Sequence, residues 1–285
     1  MSSLGAAVVG LVGLALAGGG AAAAGVVAGR RHPYLANGHA HNDYKHLRPL
    51  VSALRYGYAS VEADVFPDGT ELLVGHGRRE VAPDRTLRGL YLDPLAARVR
   101  ADGAVHPGAP APFQLLVELK AEPERCCRIL ADQLGPYAWM LTRCVDGTVR
   151  PGAVTLVLTG SGTPYEAVAA RRDRYLFCDG SLSDVDSRGL PPSLVPLVSE
   201  NWSRRYRWRG RGPLQDDERR ALRALADRVH ADGRKLRFWG FPGWPRRARM
   251  AFWRELTAAG VDYVGSDHLR ALTAFHRRTI RRRTG

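Results

Sequence analysis

Ser60-Val61-Glu62-Ala63-Asp64-Val65 is an apolar run carrying two carboxylates two residues apart. Side chains alternate along a strand, so Glu62 and Asp64 share one face while Val61, Ala63 and Val65 flank them. Turned outward, both acids would be buried against covering helices. Turned inward, they reach the mouth of a barrel, and this is the economical arrangement.

Outward from this stretch, seven further runs read as strands: Tyr34–His39, Phe113–Leu119, Val154–Leu158, Tyr175–Cys178, Leu194–Val198, Leu236–Trp239 and Tyr263–Gly265. Helical patterns lie between them, at Pro49–Tyr56, Pro94–Ala101, Pro123–Leu134, Tyr165–Arg172, Asp216–Ala231, Arg246–Ala259 and Leu269–Arg278. Glu71–Val74 follows the turn Pro67-Asp68-Gly69 and reads as a hairpin arm. Strand–helix alternation implies a parallel sheet, and eight strands in about 250 residues is the arithmetic of an α/β (βα)8 TIM barrel forming one domain over 32–285. A doubly wound sheet fits less well, because no G-x-G-x-x-G follows the first strand. The glycine-rich Thr159–Pro164 lacks the lysine of a phosphate loop and reads as a turn.

Of the 285 residues, 45% are apolar and 25% charged, which excludes a disordered chain. Lys+Arg number 42 against 28 Asp+Glu, a net charge of +14. Lys45, Lys120 and Lys235 are the only lysines, so the excess is arginine, clustered at 204–211, 246–249 and 277–283. Such surfaces attract phosphate, whether on a substrate, a membrane or a nucleic acid. No nucleic-acid module accompanies them, so no nucleic acid is expected. Two readings stand for the basic surface: association with a membrane surface, or a solvated face with no dedicated partner.

From Leu4 to Ala28 the chain has no charge, and Arg30-Arg31 follow. Residues 1–31 therefore read as a signal peptide or an N-terminal membrane anchor, and the protein as secreted or membrane-anchored on the extracytoplasmic side. Cys126, Cys127, Cys144 and Cys178 include no C-x-x-C pair, against a thiolate zinc site. Two readings stand for them: a bridge from Cys126 or Cys127 to Cys144, or small buried hydrophobes.

The ends of the candidate strands gather the chemistry. Glu118 follows Leu115-Leu116-Val117 much as Glu62 and Asp64 sit in their strand. Three carboxylates converging in a barrel mouth repel one another unless a hard cation lies between them, and all-oxygen ligation suits Mg²⁺ or Ca²⁺. The competing reading pairs the acids with arginines and Lys120. His39 and His41 share a face at the end of the first strand, and His76 follows the hairpin arm. Histidine is the natural acid or base near neutral pH.

Gly38-His-Ala-His-Asn-Asp-Tyr44, Ala53–Gly57, Ser60–Val65, Val74-Gly-His76, Arg85-Thr-Leu87, Leu90–Leu95, Leu115–Lys120 and Arg237-Phe-Trp-Gly240 together resemble the phosphatidylinositol-phospholipase-C-like phosphodiesterase superfamily. The nearest branch is that of the fungal altered-inheritance-of-mitochondria proteins and their bacterial relatives. The resemblance runs from about residue 34 to 268. It implies a (βα)8 barrel cleaving a glycerophosphodiester or phospholipid-type diester with one divalent cation and two histidines. Glu62, Asp64 and Glu118 would be the ligands, His76 one histidine, and His39 or His41 the other. Lys120 would help hold the phosphate and Trp239 line the pocket. The chain departs from glycerophosphodiester phosphodiesterases proper: no Arg-Gly follows the first histidine, and no Asp follows His76.

Two rivals compete. An amidohydrolase-like metal hydrolase would use His39-x-His41 as ligands together with Asp267, but it also needs histidines after the fifth and sixth strands. Those ends read Cys178-Asp-Gly and Ser199-Glu-Asn. A non-catalytic basic anion-binding protein would leave the acid triad unexplained.

Overall fold

The computed structural model describes residues 32–241 and 245–284, with side chains up to Thr279. The segment read as a signal peptide or anchor lies outside them. Eight parallel strands run at Leu35–Ala40, Tyr58–Asp68, Phe113–Leu119, Val154–Thr159, Leu176–Gly180, Leu197–Asn201, Lys235–Trp239 and Val264–Ser266. They are called here the first to eighth strands. Hydrogen bonds link them in the order seven, six, five, four, three, two, one, eight. A single parallel bridge, Arg237 to Tyr263, joins the seventh strand to the start of the eighth and nearly closes the barrel.

Alternation along each strand sorts the core into two parts. Val61, Ala63, Val65, Leu115, Val117, Leu156, Leu158 and Val198 face the helices and join the main hydrophobic core. The residues between them, Leu116, Val157, Phe177 and Leu197, meet Tyr263 in a smaller cluster that fills the barrel's lower interior. Above that plug the inward positions turn polar. Register places Asp64 beside Glu118 and Glu118 beside Thr159.

The expected hairpin arm is present: Glu71–Val74 pairs antiparallel with the second strand across Gly69-Thr70. Gly57, at φ 80°, leads into that strand where an added Cβ would lie 2.2 Å from the Pro33 carbonyl oxygen, so only glycine fits. The sixth strand begins three residues later than the sequence suggests, because Leu194 and Val195 belong to a turn closed onto Pro191. A short helix at Leu182–Arg188, opened by a Ser181/Asp184 capping box, was not anticipated. Neither was a small antiparallel sheet of Arg143–Val145, Thr148–Arg150 and Asp173–Arg174. Its hairpin turns at Asp146-Gly147, both at positive φ. All four cysteines are free and buried, so the bridged reading gives way to the hydrophobic one.

Candidate active site

Glu62, Asp64 and Glu118 converge at the mouth, each offering an oxygen within 4.8 Å of the others. Among the described residues this is the only group of three or more so placed to share a metal ion, and it contains no histidine. Asp64 is fully buried, and its Oδ2 receives Tyr44 Oη at 2.7 Å, Lys120 Nζ at 2.8 Å and His76 Nδ1 at 3.0 Å. Its Oδ1 is buried without a partner. An unsatisfied buried carboxylate oxygen, aligned with two neighbouring carboxylates, fits a hard cation. Lys120 also reaches Glu118 at 2.8 Å.

Glu62 is held from below. Gln114 donates to Ser60 Oγ at 3.0 Å, and Ser60 lies 2.9 Å from His39 Nδ1. His39 Nε2 meets Glu62 Oε2 at 3.1 Å, and Arg237 Nη2 bonds the same oxygen. Burial opposes ionisation of Glu62, but Arg237 and then His39 overcome it and hold its pKa far below the usual carboxylate range. His39 has no exposed surface. Burial and the Arg237 charge push it down to about 4 despite the pull of Glu62, so it is neutral at pH 7. A neutral ring that donates to Glu62 must accept from Ser60, which fixes its tautomer. His39 therefore supports Glu62 from inside the barrel.

His41, two residues on, lines the cleft and is 40% exposed. Its Nδ1 lies 2.7 Å from Asp267 Oδ1, and its Nε2 is 3.7 Å from Glu62 Oε1. Burial disfavours its charged form. The hydrogen bond to Asp267 and the charge of Glu62 outweigh that, so its pKa stands above the ordinary imidazole value. His76 is half exposed, with Nδ1 engaged by Asp64 and by Tyr44 Oη at 3.1 Å. The alternation that places His39 and His41 on one face thus separates them in depth.

The cleft encloses about 300 Å³ and extends across the mouth to the fourth to seventh strands. Trp239, 43% exposed, lines it. The Thr159–Thr163 turn lines it too. Gly160, at φ 113°, brings this loop so near that a Cβ would lie 2.9 Å from Leu119 O and 3.3 Å from Glu118 Cγ.

Three residues here were not singled out from the sequence. Asp179 accepts from Thr159 Oγ1 at 2.8 Å, but its Oδ1 has no partner, nor do Ser199 Oγ and Arg237 Nε. Burial raises Asp179 to about 6, against the lowering effects of Arg237, Thr159 and Ser199. The available signal was position: Asp179 and Ser199 stand at strand ends, and Arg237 has the inward parity of Trp239. Tyr44 was quoted only within a motif and Asp267 only as a ligand of the amidohydrolase-like rival, and both orient a histidine.

Residues 31–179 match the AIM6-like phosphodiesterase domain. "Altered inheritance of mitochondria protein 6" of Eremothecium gossypii is 31% identical over 285 residues, spanning 85% of this chain and 70% of that protein. The homolog of that protein in Arthroderma benhamiae is 29% identical over 262 residues, spanning 83% and 82%. Among solved structures, a calcium-dependent phosphoinositol-specific phospholipase C from Pseudomonas sp aligns with TM-score 0.49 and 14% identity, covering 82% of this chain and 89% of that one. A glycerophosphodiester phosphodiesterase from Agrobacterium tumefaciens aligns with TM-score 0.45 and 13% identity, covering 84% and 100%.

The relatives correct the expected secreted or membrane-anchored placement, since their names concern the inheritance of mitochondria and not secretion. The apolar run on which that expectation rested is rich in Gly and Ala and has no basic start. Among the described residues no helix is long and apolar enough to cross a membrane.

Proposed function

From a chain that belongs to the AIM6-like phosphodiesterase domain family, we infer a metal-dependent phosphoric diester hydrolase acting on a glycerophosphodiester or phospholipid-type substrate. The observation that carries the reading is the convergence of Glu62, Asp64 and Glu118 within 4.8 Å, one of them with an unpartnered buried oxygen.

Those three residues would hold one Mg²⁺ or Ca²⁺. When bound, such a cation neutralises charge on the phosphate oxygens. The chain's own residues supply the remainder. His41, whose charged form Asp267 favours, acts as the acid, giving its Nε2 proton to the leaving oxygen. His76, steered through Nδ1 by Asp64 and Tyr44, takes the proton of the attacking group at Nε2. That group is a water or a neighbouring hydroxyl of the substrate. Lys120 and Arg237 hold phosphate oxygens, and His39 keeps Glu62 in place. Asp179, Ser199 and Arg237 Nε offer unpaired acceptors and donors on the opposite wall, which suits an ester group bearing hydroxyls, with Trp239 as its apolar floor.

The test is hydrolysis of glycerophosphodiesters, lysophospholipids and sphingomyelin, with and without chelator, by the wild type and Glu62→Gln. Chelation should stop turnover, and Mg²⁺ or Ca²⁺ restore it. Glu62→Gln should lose about two orders of magnitude, the scale of removing one preorganised electrostatic group. Undiminished cleavage by Glu62→Gln, or by chelated enzyme, refutes the reading.

A further inference from the structure

The mouth of the barrel is electrically lopsided. The sixth, seventh, eighth and first strands are consecutive around the barrel. The loops and helix starts that follow them carry Lys45, Arg48, Arg207, Arg246, Arg247 and Arg270. All six are exposed, and none forms an ion pair among the described residues; the acids on the same side are Glu200, Asp216 and Asp267, held by Arg205, Arg219 and His41, and Asp217 and Glu218, so the cations stay in excess. Across the mouth, the segments after the third to fifth strands carry Glu122, Glu124 and Asp184 against Lys120 and Arg125, with Glu122 paired to Arg78 and Arg125 and Lys120 held by Asp64 and Glu118, so no excess of cations stands there. The basic charge thus forms a crescent on one side of the cleft.

Two apolar side chains project from the same crescent. Leu47 is 99% exposed, between Lys45 and Arg48 in the loop that leaves His41. Trp239 stands half exposed at the end of the seventh strand. Cations alone would suit any polyanion. A fully exposed leucine between two of them is complementary to a surface with phosphate outside and hydrocarbon just beneath. A nucleic acid offers no such second layer.

We propose that this side of the mouth docks peripherally on a bilayer rich in anionic phospholipid, with Leu47 entering the headgroup layer and the cleft facing the membrane. This docking does not depend on the diesterase reading, and binding is measured without turnover.

The experiment is co-sedimentation of the full chain with vesicles of phosphatidylcholine, alone or mixed with phosphatidylglycerol, over a range of salt. The wild type should bind the anionic vesicles selectively and release them as salt rises. Arg48→Ser, Arg247→Ser and Arg270→Ser should each weaken binding about fivefold, equivalent to about 1 kcal/mol for one basic side chain at an anionic surface. Leu47→Ser should weaken it at unchanged charge. Each variant should retain the wild-type melting temperature and its rate on a soluble diester. Equal binding to neutral and anionic vesicles, or variants that all bind as the wild type does, overturns the proposal. So does displacement of the bound protein from vesicles by stoichiometric duplex DNA. A wild type that binds anionic vesicles selectively but cleaves no diester leaves the docking standing and removes the catalytic reading.

Discussion

Replacing Asp179 with Asn should stabilise the protein, and should do so more at pH 8 than at pH 5. Asp179 is 5% exposed, and its pKa is raised from 3.8 to about 6. That gap corresponds to about 3 kcal/mol. Because the folded value lies above the unfolded one, folding carries no penalty from this group below pH 3.8, where both states are protonated. As pH climbs toward 6, the unfolded chain ionises freely and the folded chain does so at a cost, so stability falls. Above pH 6 the full penalty is reached and stays constant. Linkage gives about 1.6 kcal/mol of it at pH 5 and about 3 kcal/mol at pH 8.

Asn cannot ionise, and its carbonyl can keep the hydrogen bond that Thr159 Oγ1 gives to Asp179. The stability difference between the Asp179→Asn variant and the wild type should therefore widen by about 1.4 kcal/mol between pH 5 and pH 8. Urea unfolding at both pH values, with m unchanged, measures it. A difference that is flat or shrinks with pH refutes the reasoning. A carboxylate retained at that cost marks a functional position, so the same variant should show a raised KM for esters bearing hydroxyls.

Asp267→Asn removes the negative charge from the hydrogen bond that does most to raise His41. A reaction needing protonated His41 declines as pH rises through its pKa, and this alkaline decline in kcat/KM should move to lower pH in the variant; an unmoved profile counts against His41 as the acid. Trp202→Ala should cost about 3–5 kcal/mol, because Trp202 is fully buried among Tyr206, Phe238 and Phe252, with ring centroids 4.4–5.4 Å away. A loss below about 1 kcal/mol in urea unfolding would show that the sixth and seventh strands do not depend on this aromatic cluster.

The barrel was legible because strands covered on both faces must be nearly continuous apolar runs. An interruption in such a run therefore carries information, and Glu62, Asp64 and Glu118 could be picked out as inward acids from parity alone. Depth was not legible. Whether His39 or His41 reaches the cleft depends on Ser60 and Gln114, from two other strands, closing beneath His39. The wall of Asp179, Ser199 and Arg237 was hidden for a similar reason, since its members meet only when three strands far apart in sequence align. The small sheet and the Leu182–Arg188 helix differ from these: Asp146-Gly147 and Ser181-x-x-Asp184 were local signals, present and unused.

Charge balance favours a cation-holding triad over one that only pairs with arginine and lysine. If Glu62, Asp64 and Glu118 existed to pair with cations, the cleft would close its own account. Four carboxylates, counting Asp179, instead face two permanent cations, Arg237 and Lys120. Two negative charges are left over, and the cleft has the orphaned oxygens that such a deficit predicts, Asp64 Oδ1 and Asp179 Oδ1. Uncompensated charge in a buried site is expensive, so pairing alone does not account for the arrangement. One divalent cation removes the deficit. A diester then brings a single negative charge, and a protonated His41, favoured by Asp267 and Glu62, offsets it. The cation alone brings the cleft to neutrality, and the diester and the His41 proton then enter as a charge-balanced pair, so the site stays neutral with the composition required at the moment of cleavage.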